Sequence, residues 1–405
     1  MRVVINQMST AGVRTGIGHY TAQLLRCLRQ HQGTSGHGET PQPSPVRVEG
    51  APHQWVLQAM SVWGQVRPYL QPKGRPTASP LAPARTLSFK VLRKVASHLF
   101  RSHLHNVYFR ARYDLYHEPN FIPVPSDLPT LATIHDLSVI HHPEWHPLDR
   151  VEHFDKHFYQ GLQSCVHFLA ISESARQEII QVLNIPPEKV TRTYMGVRPG
   201  LTPLPQSDVR RALQKLNLPD HFFLYLGTIE PRKNVLTLLK AYCSLPGPFR
   251  ARYPLLLVGG WGWNSGEVAQ YLDDVGKARG VIYLGYVPEE YIAALYNGAR
   301  ALVFPSHYEG FGMPPIEMMA CGGAVIASTA EALVETMGGK AHLVPPEDLD
   351  GWRQALLRAG NDDDWWQSLR ENVTDIARPY TWEQCATDTL QVYRQLCQPQ
   401  QPQAA

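Results

Sequence analysis

The chain has 405 residues, of which 43% are hydrophobic and 18% charged, with a net charge of +3. That is an ordinary globular composition with two or three domains' worth of chain, and its overall charge gives no reason to expect a nucleic-acid partner. The charge is unevenly spread, because Gly50 to Tyr113 contains no Asp or Glu but ten Lys and Arg.

The six cysteines (Cys27, Cys165, Cys243, Cys321, Cys385, Cys397) are scattered and form no CxxC pair. This spacing fits reduced thiols in a cytoplasmic protein better than a disulfide framework. MRVVINQMST is too short for a signal peptide, and no run reaches the ~20 apolar residues of a membrane span. The expectation is a soluble protein that touches a membrane at its surface at most.

In chain order, RVVIN (2–6) has the apolar continuity of a buried strand, and a glycine-bearing loop leads from it into a helix carrying Leu24, Leu25 and Leu28. Residues 32–53 are Gly-, Pro-, Ser- and His-rich and predict a solvated loop. Residues 86–112 have Leu87, Val91, Val95 and Leu99 at helical spacing among basic residues. This stretch is either a core helix with a cationic face or an attachment to anionic lipid. DLYHEPN, TLATIHDL and HFLAISES predict short strands, and QEIIQVLNI a helix.

After the Pro/Gly-rich YMGVRPGLTPLP (194–205), a second series begins. FFLYLGT, PLLLVGG, VIYLGYV, ALVFPS and AVIAS alternate with helical patterns such as NVLTLLKAYCSL and EEYIAALYNGA. Short apolar runs alternating with helices predict parallel sheets in βαβ units, so the fold class is α/β with two halves. Ligands of such sheets bind beyond the carboxyl ends of the strands, which directs attention to the polar residues placed there.

Two of these loops carry the chemistry. GTIEPRKN (227–234) puts Arg232 and Lys233 before a helix, where side-chain charge and free amides together suit a diphosphate. EGFGMPPIE (309–317) holds Glu309 and Glu317 eight positions apart. Gly310 and Gly312 allow close backbone approach, and Pro314 and Pro315 suit the first turn of a helix, in which Glu317 is expected. A carboxylate accepts two hydroxyl hydrogen bonds, which suits a ribose diol or sugar hydroxyls. Asp362-Asp363-Asp364 has the spacing of a metal-binding DxD, but helix capping before WWQSLRENV explains it better, so no metal is expected. GVRTGIG departs from the GxGxxG spacing of a dinucleotide site. His117, in YHEPN, is a candidate for a position near an acceptor.

With these segments in hand, the chain resembles the retaining family-4 glycosyltransferases of the GT-B fold. The resemblance rests on the 309–317 and 227–234 segments, TIHDL, RTGIGHYTAQLL (14–25), DLYHEPNFIP (114–123), AISESAR (170–176) and YTWEQCATDTLQVY (380–393). Among family members it is most similar to bacterial polysaccharide and O-antigen enzymes, many of them mannosyltransferases. The resemblance implies two Rossmann-like domains facing a cleft: 1–200 on the acceptor side, rejoined by a helix at 380–397, and 201–379 binding the nucleotide-sugar. It implies that Lys233 and Arg232 hold the donor diphosphate, Glu317 the ribose, and Glu309 with the amides of Gly310, Phe311, Gly312 and Met313 the donor sugar and its phosphate. His135 would reach the transferred sugar, while Gly16 and Gly18 would let the first loop close over the phosphates. Relatives often carry an arginine where this chain has Thr228, and Arg232 is expected to supply that charge. Base recognition is expected near Tyr286 and Val287.

The implied reaction is metal-independent and needs no cofactor beyond the donor. It moves a hexose, with mannose from GDP-mannose first in view, to a glycan or lipid-linked acceptor. A UDP-sugar-dependent glucosyl or galactosyl transferase and a catalytically silent glycan-binding module remain as alternatives. The partners expected are therefore a nucleotide-sugar and a glycan acceptor, with no nucleic acid and with contact to an anionic membrane left open.

Overall fold

The computed structural model describes residues 1–10, 16–33, 46–51 and 113–397. The basic stretch 86–112 lies outside them. Among the described residues, twelve strands form two sheets. The first contains β1 (Arg2–Asn6), β2 (Arg47–Ala51), β3 (Leu115–Glu118), β4 (Thr130–Ile134), β5 (Cys165–Ala170) and β6 (Val190–Arg192) in the order β2-β1-β3-β4-β5-β6. The second contains β7 (Phe223–Leu226), β8 (Leu255–Val258), β9 (Val281–Gly285), β10 (Ala301–Phe304), β11 (Val325–Ser328) and β12 (His342–Val344) in the order β12-β11-β10-β7-β8-β9. Every pairing between these strands is parallel.

The apolar runs are continuous because both faces of these strands are covered. Leu255 to Val258, Ala301 to Phe304 and Val325 to Ser328 are buried along their whole length. Each buried Leu, Val or Phe contributes about 1.5–3 kcal/mol, and the buried hydroxyl of Ser328 at the end of β11 is satisfied by donating to Ser306 O at 2.5 Å. The strand order reverses between β1 and β3 in one sheet and between β7 and β10 in the other. These are the switch points at which open α/β sheets bind ligands. Both chemistry-bearing loops of the second half leave from one of them, after β7 and after β10.

The last helix, Trp382–Cys397, packs against the helix Gly16–Gly33 beside the first sheet. Tyr393 Oη lies 2.6 Å from His117 Nδ1, and Thr133 Oγ1 lies 2.8 Å from Nε2. His117 is wholly buried with both ring nitrogens engaged, which corrects its assignment near an acceptor. The chain crosses between the halves twice, at 196–198 and at 380–382, and the crossings touch. The Val197 amide donates to Tyr380 O at 2.9 Å, and a Cβ on Gly196 would lie 2.2 Å from Trp382 N.

The halves also meet directly. Ser172 Oγ donates to Gly310 O at 2.7 Å and the Leu137 amide to Tyr308 Oη at 2.9 Å. The amides of Glu173 and Ser174, opening the helix Glu173–Leu183, donate to the two Glu335 oxygens at 2.7 and 2.8 Å. Here a helix N-terminus holds a carboxylate, as its free donors and dipole favour. Asp362 accepts from the Trp365 amide at 2.9 Å, so this aspartate caps a helix. Among the described residues no helix is long and apolar enough to cross a membrane.

Candidate active site

The loop after β7 is shaped by one turn of 3-10 helix, Pro231–Lys233, followed by Asn234 at φ 54°. Asparagine tolerates this left-handed conformation better than most residues. Its side chain donates to Pro305 O at 3.2 Å and Pro346 O at 2.8 Å, which fixes the start of the helix Val235–Cys243. The His307 amide donates to Arg232 O at 2.9 Å, tying the β7 and β10 loops together. Thr228 is exposed, and its carbonyl accepts from Tyr225 Oη at 3.0 Å.

Arg232, Lys233 and Glu309 are brought together as expected, but the two cations are already paired. Lys233 Nζ lies 2.5 Å from Glu309 Oε1. Arg232 reaches Glu230 at 3.0 Å, Asp136 at 3.3 Å and Glu309 at 3.6 Å. Three carboxylates lie in direct ion-pair contact with the two cations, and Arg150 also acts on Asp136 and Glu230, which corrects the expectation of a free cationic pocket. A diphosphate can enter only by exchange of partners. Burial works against the charge on Lys233 and is only partly offset by Glu309, so its ammonium titrates below the ordinary range. Burial opposes the charge on Arg232 as well, but Glu309, Asp136 and Glu230 together hold its pKa above the usual value.

On the facing half, Asp136 follows β4 directly after His135. Burial raises its pKa, but Arg232 and the two hydrogen bonds from Ser138 win, leaving it below the ordinary carboxylate range. His135 Nε2 lies 2.9 Å from Pro119 O, an atom that can only accept. The proton therefore sits on Nε2, and Nδ1 is left as an acceptor. Burial holds the ring below the usual histidine pKa, so it is neutral near pH 7.

The glycines have a different use from the one expected. A Cβ on Gly310 would lie 1.9 Å from His135 O, so Gly310 lets the 309–312 loop press against the opposite half. Gly312, at φ +96°, precedes the helix Met313–Ala320, and a Cβ there would lie 2.3 Å from Leu333. The Phe311 ring is buried against Tyr194 and Tyr380, leaving only its backbone for a ligand. Met313 is half-buried at the first helical position. Gly16 opens the helix Gly16–Gly33 at the surface, whereas Gly18 is buried.

Glu317 lies at the fifth position of its helix, in the second turn and not the first. It is wholly buried. Arg198 Nε donates to Oε1 at 2.6 Å and Arg198 Nη2 to Oε2 at 2.7 Å, while Tyr296 Oη adds a 2.8 Å bond to Oε2. With three of about four lone-pair directions taken, this carboxylate has room for at most one hydroxyl, which corrects its assignment to a diol. Sequence reasoning missed Arg198, which carries no motif of its own, and Glu230, whose place inside GTIEPRKN was a signal left unused. Tyr286 stands 72% exposed just past β9, next to buried Val287.

Residues 15–201 match the family described as Glycosyltransferase Family 4, and residues 208–378 match Glycosyl transferases group 1. The chain is 37% identical over 284 residues to the O-antigen chain mannosyltransferase B of Escherichia coli, covering 70% of this chain and 74% of that one. It is 31% identical over 233 residues to the serotype-specific mannosyltransferase WbdA of Escherichia coli, spanning 56% of this chain but only 29% of the relative. Among solved structures, sucrose-phosphate synthase from Thermosynechococcus elongatus superposes with a TM-score of 0.66 at 21% identity, over 98% of this chain and 99% of the other. WaaG, a glycosyltransferase involved in lipopolysaccharide biosynthesis, gives 0.64 at 13% identity, over 97% and 99%. These two likenesses concern the fold.

Proposed function

The chain belongs to the family-4 glycosyltransferases of the GT-B fold, and on that premise we propose that it moves mannose from GDP-mannose to a glycan or lipid-linked acceptor with retention of configuration. One observation carries the assignment of the site: Arg232, Lys233 and Glu309 meet at the β7/β10 switch point directly opposite His135 and Asp136. The naming of mannose leans on the relatives, two of which are mannosyltransferases by name.

In the proposed reaction the bond between the anomeric carbon and the diphosphate oxygen breaks, and the acceptor hydroxyl oxygen bonds to that carbon. The hydroxyl proton goes to the leaving phosphate, so the products are the new mannoside and GDP. The sugar gains oxocarbenium-like character while charge grows on the diphosphate. Lys233 exchanges Glu309 for a phosphate oxygen, and Arg232 stays beside it. In this proposal these two cations, without a metal ion, are the charges that offset the diphosphate, which the EDTA in the assay below checks. Glu309, released from Lys233, accepts from a hydroxyl of the mannosyl ring. His135 offers its bare Nδ1 to another, and the amides of Gly310 to Met313 face the phosphate nearest the sugar. Preorganised donors in such a water-poor cleft are worth far more than the same groups in water. The acceptor lies against the first half. A lipid-linked acceptor would place the reaction at the cytoplasmic face of a membrane.

The test is a thermal-shift and turnover panel of GDP-mannose, UDP-glucose, UDP-galactose and UDP-mannose with EDTA present. GDP-mannose at a hundred times its Kd should stabilise the fold by about 2.7 kcal/mol and be consumed in the presence of octyl α-D-mannopyranoside. Consumption of a UDP-sugar in preference to GDP-mannose, or loss of turnover on chelation, would overturn the corresponding part of the reading.

A further inference from the structure

Tyr308 belongs to the second half, yet its side chain is gripped by the first. Its hydroxyl donates to Glu178 Oε2 and accepts from the Leu137 amide at 2.9 Å. Its ring lies 6.3 Å from those of His141 and His142. A phenol whose proton and one lone pair are both engaged by fixed groups is held in place. The next residue is Glu309, the carboxylate proposed to hold the donor sugar. Beyond it, Gly310 O accepts from Ser172 Oγ at 2.7 Å, and Ser172 caps its own helix by accepting from the Ala175 amide at 3.0 Å. On the other side, the His307 amide is tied to Arg232 O at 2.9 Å. Glu309 is therefore flanked at 308 and at 310 by hydrogen bonds from the facing half. Glu178 stands on the helix Glu173–Leu183 of that half, and Ser172 is its N-cap.

We infer that Tyr308, clamped by Glu178 and the Leu137 amide, is a positioning residue that sets Glu309 for the transferred sugar. The inference rests on the sugar-transfer reading above. In that reading Glu309 leaves Lys233 and accepts from a sugar hydroxyl, and a carboxylate on a free loop would follow the ammonium instead. With 308 and 310 held by the first half, the backbone at 309 stays fixed while Lys233 turns to the phosphate. Such positioning acts on the chemical step, where a misplacement of about 1 Å costs up to roughly 10²-fold in rate. It spares the diphosphate, whose cations Arg232 and Lys233 both come from the second half. Burial raises the pKa of Glu178 to about 7 against the Tyr308 hydrogen bond, and Asp136 and Glu331 add to the rise. Its part is that of a hydrogen-bond acceptor, which an uncharged amide can also play.

The experiment compares wild type, Tyr308→Phe, Glu178→Gln, Glu178→Leu, Glu309→Gln and the double variant Tyr308→Phe/Glu309→Gln, with GDP-mannose as donor and octyl α-D-mannopyranoside as acceptor. Tyr308→Phe keeps the ring and loses the hydroxyl. Its kcat should fall by about tenfold, the usual scale of lost buried hydrogen bonding, while the GDP Kd from isothermal titration moves by less than about twofold. Glu178→Leu should reproduce that fall. Glu178→Gln, which still accepts from Tyr308, should keep kcat within about threefold of wild type. Because Tyr308 acts through Glu309, adding Tyr308→Phe to Glu309→Gln should lower kcat by less than about a further twofold. An unmoved kcat in Tyr308→Phe, a GDP affinity that falls in step with kcat, equal losses in the two Glu178 variants, or a full further loss in the double variant would overturn the inference. Wild-type turnover separates the two readings. Its absence with every donor and acceptor tried condemns the sugar-transfer assignment, whereas wild-type turnover that Tyr308→Phe leaves intact condemns only the role of Tyr308.

Discussion

Lys233→Ala should reduce turnover by roughly 10²–10³-fold, equivalent to about 2.7–4 kcal/mol of transition-state stabilisation, and should also lower stability, because it leaves the buried Glu309 carboxylate with Arg232, at 3.6 Å, as its ion-pair partner. The magnitude follows from the geometry. The ammonium is buried, lies 2.5 Å from Glu309, and belongs to a cluster in which carboxylates meet the cations directly. Removing it takes one positive charge from a cluster that holds three carboxylates, so the site would bind a diphosphate less well as well as fail to stabilise it. GDP affinity should therefore fall together with kcat, and isothermal titration alongside steady-state kinetics reads both. Lys233→Arg should recover part of the binding but less of the rate, because a planar guanidinium does not reproduce a compact point charge at one oxygen. Full activity in Lys233→Ala would remove the residue from the mechanism.

The second large effect concerns stability. Arg198→Ala leaves the wholly buried Glu317 carboxylate with Tyr296 as its one remaining partner among those described, and should cost about 3–5 kcal/mol. For a chain of this size the melting temperature should drop by on the order of 10 °C. The double variant Arg198→Met/Glu317→Leu should restore most of that loss, since replacing both members of a buried pair by apolar groups is often neutral or better. Calorimetry of the four proteins closes the cycle. The double variant then isolates any role of Glu317 toward the nucleotide: a refolded protein with wild-type GDP affinity would show that this carboxylate is architectural alone. Arg198 lies on the first crossing between the halves, so the pair also anchors that crossing to the core of the second sheet.

Much of this architecture was legible because the relevant signals are local. Continuous apolar runs such as FLYL and ALVF reveal parallel strands with both faces covered, and Pro314-Pro315 reveals a helix start. The loops 227–234 and 309–317 were identified as the chemical ones because their residue types are unusual in turns. What sequence could not reveal were partners far apart in the chain. Lys233 meets Glu309 across 76 positions, Arg232 meets Asp136 across 96, and Arg198 meets Glu317 across 119. No local pattern encodes those pairings. The cations therefore looked free, Glu317 looked available to a diol, and Gly310 looked like a ligand contact when its missing Cβ serves His135. His117 illustrates the same limit: its neighbours Glu118 and Pro119 suggest a cleft, while Tyr393 arrives from a helix 276 residues away.

The central claim is that Lys233 and Glu309 part to hold the two ends of a sugar diphosphate. A crystal structure with GDP-mannose bound tests it most directly. The account predicts Lys233 Nζ about 3 Å from a phosphate oxygen and a Glu309 oxygen within about 3 Å of a mannosyl hydroxyl, with their mutual contact broken. A bound donor beside an intact Lys233–Glu309 pair, or one seated away from the β7/β10 switch point, would contradict it.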